Sequence, residues 1–89
     1  MAIDFDPAKR LATLRERGLD FARSAEVFAA PLTTFRDERV DYGEPRSITV
    51  GILDGRMVVV VWTQRGHTRR IISMRKANDR EQARYRERG

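Results

Sequence analysis

The chain has no cysteine, one histidine and only three prolines among 89 residues. Without cysteine there can be neither a disulfide framework nor a thiolate metal site. His67 has no second ligand at metal-binding spacing, so no metal is expected. The six glycines are scattered at turn positions and form no phosphate-cradling loop. No pair of carboxylates stands at a spacing that suggests acid–base chemistry, and no cofactor motif is present. No window approaches the ~18 apolar residues of a membrane span. The start, Met1-Ala2-Ile3-Asp4, lacks the basic-then-apolar pattern of a signal peptide, so a cytoplasmic location is expected. At this length a single domain, residues 1–89, is expected, with a modest core.

What is abundant is charge, and it is unevenly placed. Residues 65–89 hold nine of the 18 Lys/Arg but only three of the 13 acidic residues, so the whole net excess of +5 lies in the last quarter. A basic patch of this kind suits a polyanion; a solvated, solubilising tail is the plainer alternative.

The stretch Val58–Lys76 organises the rest. Val58-Val59-Val60-Val61-Trp62 is an unbroken β-type apolar run, suited to the middle of a sheet covered on both faces. After Arg65-Gly66-His67 a second run, Arg69-Arg70-Ile71-Ile72-Ser73-Met74-Arg75, mixes apolar and charged residues, and the two read as a hairpin. The hairpin is thus expected to be both core and working surface.

Upstream, Ile3–Phe5 suits an edge strand. Asp6-Pro7 predicts a helix start, with Ala8, Leu11 and Leu14 as an apolar stripe and Gly18 as the stop. Asp20 predicts the cap of a second helix that buries Phe21, Ala25 and Phe28 and ends at Ala29-Ala30-Pro31. Leu32–Phe35 reads as a strand and Arg36–Pro45 as a polar loop. Arg46–Leu53 is a strand with Ile48, Val50 and Ile52 alternating, and Asp54-Gly55 is a hairpin turn into Arg56–Trp62. Asn78 with Glu81 predicts a capping box for a last helix, packed by Ala83 and Tyr85. Arg80, Arg84 and Arg88 fall at i, i+4, i+8, where like charges oppose each other and an anionic partner would relieve them. The order is β-α-α-β-β-β-β-α, an α+β fold with a mostly antiparallel sheet, two N-terminal helices on one face and a C-terminal helix.

Arginine, lysine, serine and tyrosine remain as the chemical inventory. They suffice for RNA cleavage, since RNA carries its own nucleophile in the 2′-OH and the protein need only align it, neutralise phosphate and move protons. Arginine supplies a planar donor fork of permanent charge. Ser73 reads either as a phosphate ligand or as a sheet residue, and Trp62 either as core or as a base-stacking surface.

The segments FDPAK, Gly18-Leu19-Asp20-Phe21 with Ala25, Val27 and Phe28, Gly43-Glu44 with Arg46, Trp62-Thr63-Gln64-Arg65-Gly66, Arg70-Ile71-Ile72-Ser73-Met74-Arg75-Lys76-Ala77, and Glu81 with Tyr85 resemble those of BrnT toxins. The resemblance implies a RelE-like fold and the ribonuclease half of a type II toxin–antitoxin pair. It also implies mRNA cleavage that halts translation, ribosome-associated or general, and a BrnA-type ribbon-helix-helix antitoxin through which alone operator DNA is reached. On this reading the catalytic group is Arg70, Arg75, Arg65, Gln64 and Tyr85. Arg70 and Arg75 serve the scissile phosphate, with Arg70 favoured as dominant. Arg69, Lys76, Arg80, Arg84 and Trp62 extend the RNA track. The family usually has Glu where this chain has Gln64, an amide that cannot accept a proton as a carboxylate does. Its usual Asn and His in the first helix are Thr13 and Arg17. A homologue that binds without cleaving is therefore the alternative.

Overall fold

A computed structural model describes residues 2–39, 41 and 43–86. The elements are β1 (Ala2–Phe5), α1 (Pro7–Arg17), a single 3₁₀ turn (Phe21–Arg23), α2 (Ser24–Ala29), β2 (Thr33–Asp37), β3 (Arg46–Leu53), β4 (Arg56–Arg65), β5 (Thr68–Lys76) and α3 (Asp79–Arg86). They form an α+β domain around one five-stranded sheet, ordered β1-β5-β4-β3-β2. Three of its pairings are antiparallel and β1 joins β5 in parallel, so the sheet is mixed.

Local chemistry explains the element ends. The Asp6 carboxylate accepts from the Ala8 and Lys9 amides, and Gly18 closes α1 in the left-handed conformation at φ 70°. Asp54 and Gly55 both have positive φ, 52° and 76°, as a two-residue turn between right-twisted strands requires. Asn78 and Glu81 exchange amide and side-chain hydrogen bonds at 2.8 and 3.0 Å, completing the capping box of α3.

Alternation along β4 splits the core in two. Val58, Val60 and Trp62 face the helical side, where they pack with Phe21, Val27, Leu53, Ile71 and Met74. Val59 faces the opposite side with Ile48, Val50, Met57, Ala77 and Tyr85 of α3. The central run is therefore buried on both faces. Contact between α2 and β3 is close: a Cβ on Gly51 would lie 2.8 Å from Val27 Cγ1, so only glycine fits there.

Two expectations about the helices change. No residue of α1 is buried, and Leu11 and Leu14 are 53% and 40% exposed. Polar contacts fasten α1 to the body instead, from a face that Leu14 shares with Arg10 and Arg17. Arg10 makes a two-pronged bond to Asp20 at 2.7 and 3.0 Å, and Arg17 donates to the Met74 carbonyl at 3.0 Å. In the second helical segment Phe21, Ser24 and Val27 are buried but Ala25 is exposed. The first turn is 3₁₀, with about three residues per turn rather than 3.6, and this rotates the residues that follow. Ala83 is likewise exposed, leaving Tyr85 as the packing residue of α3. No helix among the described residues is long and apolar enough to cross a membrane.

Candidate functional site

One irregularity in β5 decides what the sheet presents. Trp62 pairs with Ile71 but Val61 pairs with Ser73, so Ile72 is an extra residue, a β-bulge. In an undistorted strand residues 70 and 75 would lie on opposite faces. The bulge removes one step of alternation. Thr63 lies opposite Arg70, Val61 opposite Ser73, and Val59 opposite Arg75. Thr63, Val61 and Val59 share the face away from α1 and α2. Arg70, Ser73 and Arg75 therefore share it too, and Arg65, two residues beyond Thr63, joins them.

At one end of this face is a cavity of about 450 Å³ between α3, β2 and the sheet. Ile48, Val59 and Val61 line its apolar part. Phe35 and Tyr85 line it too, stacked with ring centres 6.1 Å apart and 24° between planes. Its charged lining is Arg36, Asp37, Glu38, Arg39, Arg46, Arg75, Glu81 and Arg84, with Ser73. Aromatic rings beside cations are the two elements that hold a single-stranded nucleic acid.

Arg75 is held rigidly in this cavity. Its Nη1 and Nη2 donate to the two Glu81 oxygens at 2.6 and 2.8 Å. The Arg75 guanidinium, aided by the Asn78 amide, draws the Glu81 carboxyl down to about 2. Glu81 is thus a poor base at neutral pH and serves to aim the fork. Asp37, buried on the far side, binds Arg39 at 2.9 and 3.0 Å.

The Arg75–Glu81 pair has a measurable consequence. A depressed carboxyl stabilises the fold fully above its unfolded value and loses that contribution as pH falls toward 2. Acid titration of thermal stability should therefore show a loss between about pH 4.5 and 2 that Glu81→Gln lacks. After discounting for solvent around the pair, that loss is on the order of 1 kcal/mol. Identical acid limbs in the two proteins would show that the pair contributes nothing.

The other sequence-derived residues divide between the faces. Arg65 reaches Glu44 at 3.5 Å and Arg70 binds Asp4 at 2.8 Å, both on the open face but outside the cavity. Arg84 lines the cavity, and Arg80 is exposed on α3. Arg88 lies outside the described residues. Gln64 and Arg69 are cross-strand partners on the helical side. The Gln64 amide donates to the Gly66 carbonyl at 3.1 Å, and the Arg69 guanidinium covers the Phe28 ring at 4.2 Å and the Trp62 ring at 5.1 Å. Trp62 is 8% exposed, edge-on to Phe28, with its Nε1 donating to Thr49 at 2.9 Å, so its ring is part of the core. Lys76 is exposed where β5 ends. Sequence reasoning overlooked Phe35, Asp37, Arg39 and Arg46. They come from β2, β3 and the loop between, and only the pairing of Asp37 with Arg46 across the sheet draws them to the cavity. The one available signal was Glu81 at the third position of the capping box, six residues from Arg75.

Such a domain, small and basic, with an arginine-bearing sheet face beside an aromatic-walled cavity, is of the class suited to a polyanion. The family model described as the ribonuclease toxin BrnT of type II toxin–antitoxin systems matches residues 5–81. The chain belongs to that family, as its sequence segments implied. Ser73, Arg75 and Glu81 fall inside the match, whereas Arg84 and Tyr85 lie just beyond it. No curated protein matches the chain. Membership in a family of toxins from such systems implies an RNA substrate and an antitoxin partner.

Proposed function

We propose that the chain is an endoribonuclease that cleaves mRNA without a metal and acts in the cytoplasm. Its catalytic centre is the cavity beneath α3. The observation that carries this reading is the bulge at Ile72, which turns Ser73 and Arg75 to the open face, beside Tyr85. Arg75, aimed by Glu81, neutralises the scissile phosphate as the 2′-OH attacks. Phe35 and Tyr85 offer a stacked wall against which a base is ordered, and Tyr85 supplies the hydroxyl that moves a proton. Arg70 lies four pleat steps from Arg75, roughly 13 Å along the strand, so it serves a neighbouring phosphate and not the same one. Arg65, Arg80 and Arg84 continue the track. The fold is read as RelE-like. A BrnA-type ribbon-helix-helix antitoxin neutralises the toxin by covering the basic face, and contact with operator DNA runs through that antitoxin.

Gln64 bears on the alternative of a binding-only homologue. It lies on the helical side, away from the cavity, so an amide there removes no base from this centre. Expression of the chain alone should arrest growth and fragment mRNA, and co-expression with the neighbouring antitoxin should restore both. Gln64→Glu should leave the cleavage rate within about twofold. If wild type is inert and Gln64→Glu cleaves, the centre lies on the other face. An inert pair would favour the binding-only homologue.

A further inference from the structure

A second concavity, of about 230 Å³, lies on the other flank of α3. Met57 and Ala77 line it, with Arg56, Lys76, Gln82 and Arg86 as its polar groups. Among the described residues no carboxylate lines it. That sets it apart from the first cavity, where Arg75 and Arg39 are each bonded to an acid. Asp54, the acid next along the turn from Arg56, is bonded to Arg23. Among the described residues neither Arg56 nor Lys76 is in ion-pair contact with a carboxylate, Arg56 acting on Asp54 only through space, and both side chains are exposed. The walls are set in place: the Ala77 amide donates to the Met57 carbonyl at 2.9 Å, and Gln82 donates to the Ala77 carbonyl at 3.1 Å. Gln82 also accepts from Arg86 at 3.4 Å.

We infer that this concavity is a phosphate subsite for an RNA strand that leaves the first cavity and crosses α3. The inference rests on the ribonuclease reading above. Glu81 and Tyr85 face the first cavity, and Gln82 and Arg86, one residue further on, face the second. The helix is thus a ridge about 10 Å wide between two anion-binding hollows. Arg84 stands on the near slope and Arg86 on the far one, so cations continue across it. A polymer with a phosphate at every residue can occupy both hollows at once. Three cations without an internal acid suit a group that brings charge and no hydrogen-bond donor of its own, as a phosphodiester does. Binding at a distance from the scissile bond then raises affinity for long RNA without changing the chemical step.

The test compares wild type with Arg56→Gln/Lys76→Gln. Probes are a 2′-O-methyl dinucleotide, too short to cross the ridge, and a longer 2′-O-methyl strand, both uncleavable through the 2′-OH. The control Lys9→Gln/Arg15→Gln removes the same charge from α1, on the opposite face of the sheet from α3. For the long strand, the double variant should bind about tenfold more weakly at low salt. Its log–log salt slope should fall by about 1.4, since each lost single-strand contact contributes ~0.7. Dinucleotide affinity should not change, and the control should match wild type on both probes. On cleavable long RNA, KM should rise with kcat unchanged. Inorganic phosphate at matched ionic strength should weaken long-strand binding by wild type more than by the double variant, which keeps only the first hollow. Unchanged long-strand binding overturns the subsite, as does an equal loss on the dinucleotide or in the control. A protein that binds as expected but cleaves nothing upholds the subsite and overturns only the ribonuclease reading. One that binds no RNA overturns both.

Discussion

Arg75→Ala should abolish RNA cleavage by the folded protein, with a loss of about 10²–10³ in rate, the usual effect of removing one charge-stabilising donor from a preorganised site. Arg75 is selected over Arg70 because it lines the cavity and its fork is locked by two bonds to Glu81. Arg70, bonded to Asp4 at the sheet edge, stands outside it. Arg70→Ala should therefore cost about tenfold, mostly in binding. Arg75→Lys separates charge from geometry: it keeps the cation, loses the fork, and should recover only part of the rate. Single-turnover cleavage of a defined RNA, with circular dichroism to confirm folding, reads all three. Wild-type cleavage by folded Arg75→Ala would remove the cavity as the catalytic centre. Equal losses at Arg70 and Arg75 would mean a binding surface without a distinct centre.

The second large effect is on stability. Val60→Asp should leave the domain unfolded at 25 °C. Val60 is fully buried, and neither of its partners across the sheet, Thr49 and Met74, is a cation. An unpaired buried carboxylate costs several kcal/mol, and the lost valine burial adds about 2 kcal/mol. A domain of this length has a net stability of only about 5–10 kcal/mol. Position 60 is a cleaner test than its neighbours. Val59 lies across from Arg75, which could neutralise an introduced acid, and Val61 is only half-buried. A cooperative melt in Val60→Asp would mean that β4 is not doubly covered.

What could be read from the sequence follows the range of the interactions involved. Asp6-Pro7 with Gly18, Asp54-Gly55, and Asn78 with Glu81 each complete a hydrogen-bonding or dihedral requirement within a few residues, so sequence alone located those boundaries. The valine run likewise declared a strand buried on both faces. Non-local features were less accessible. Spacing cannot show that α1 is held to the body by the polar tethers of Arg10 and Arg17 while Leu11 and Leu14 stay exposed. Nor can it show that a 3₁₀ turn rotates Ala25 to the surface, or that β1 joins β5 in parallel. The site depended on a single extra residue. Parity placed Arg70 and Arg75 on opposite faces unless a bulge intervened, and nothing in Ile71-Ile72-Ser73 marks which residue is the bulge. The polar loop before Arg46 read as solvated, although its entry strand brings Asp37 and Phe35 to the cavity.

The parallel pairing of β1 with β5 has a consequence for the newly made chain. Asp4 meets Arg70 at a sequence separation of 66, the longest reach in the sheet. Synthesis delivers β1 first and β5 among the last elements, so the first strand must wait unpaired while almost everything else emerges. Closing so long a loop costs entropy before any contact compensates for it, which places this step late in folding. Ser73, Arg75 and Tyr85 also belong to these last segments. A ribosome-held fragment that stops short of β5 therefore has neither a closed sheet nor Arg75, the arginine proposed to serve cleavage. On the proposed reading activity waits until the chain is nearly complete, and the order of synthesis itself keeps an unfinished toxin inert.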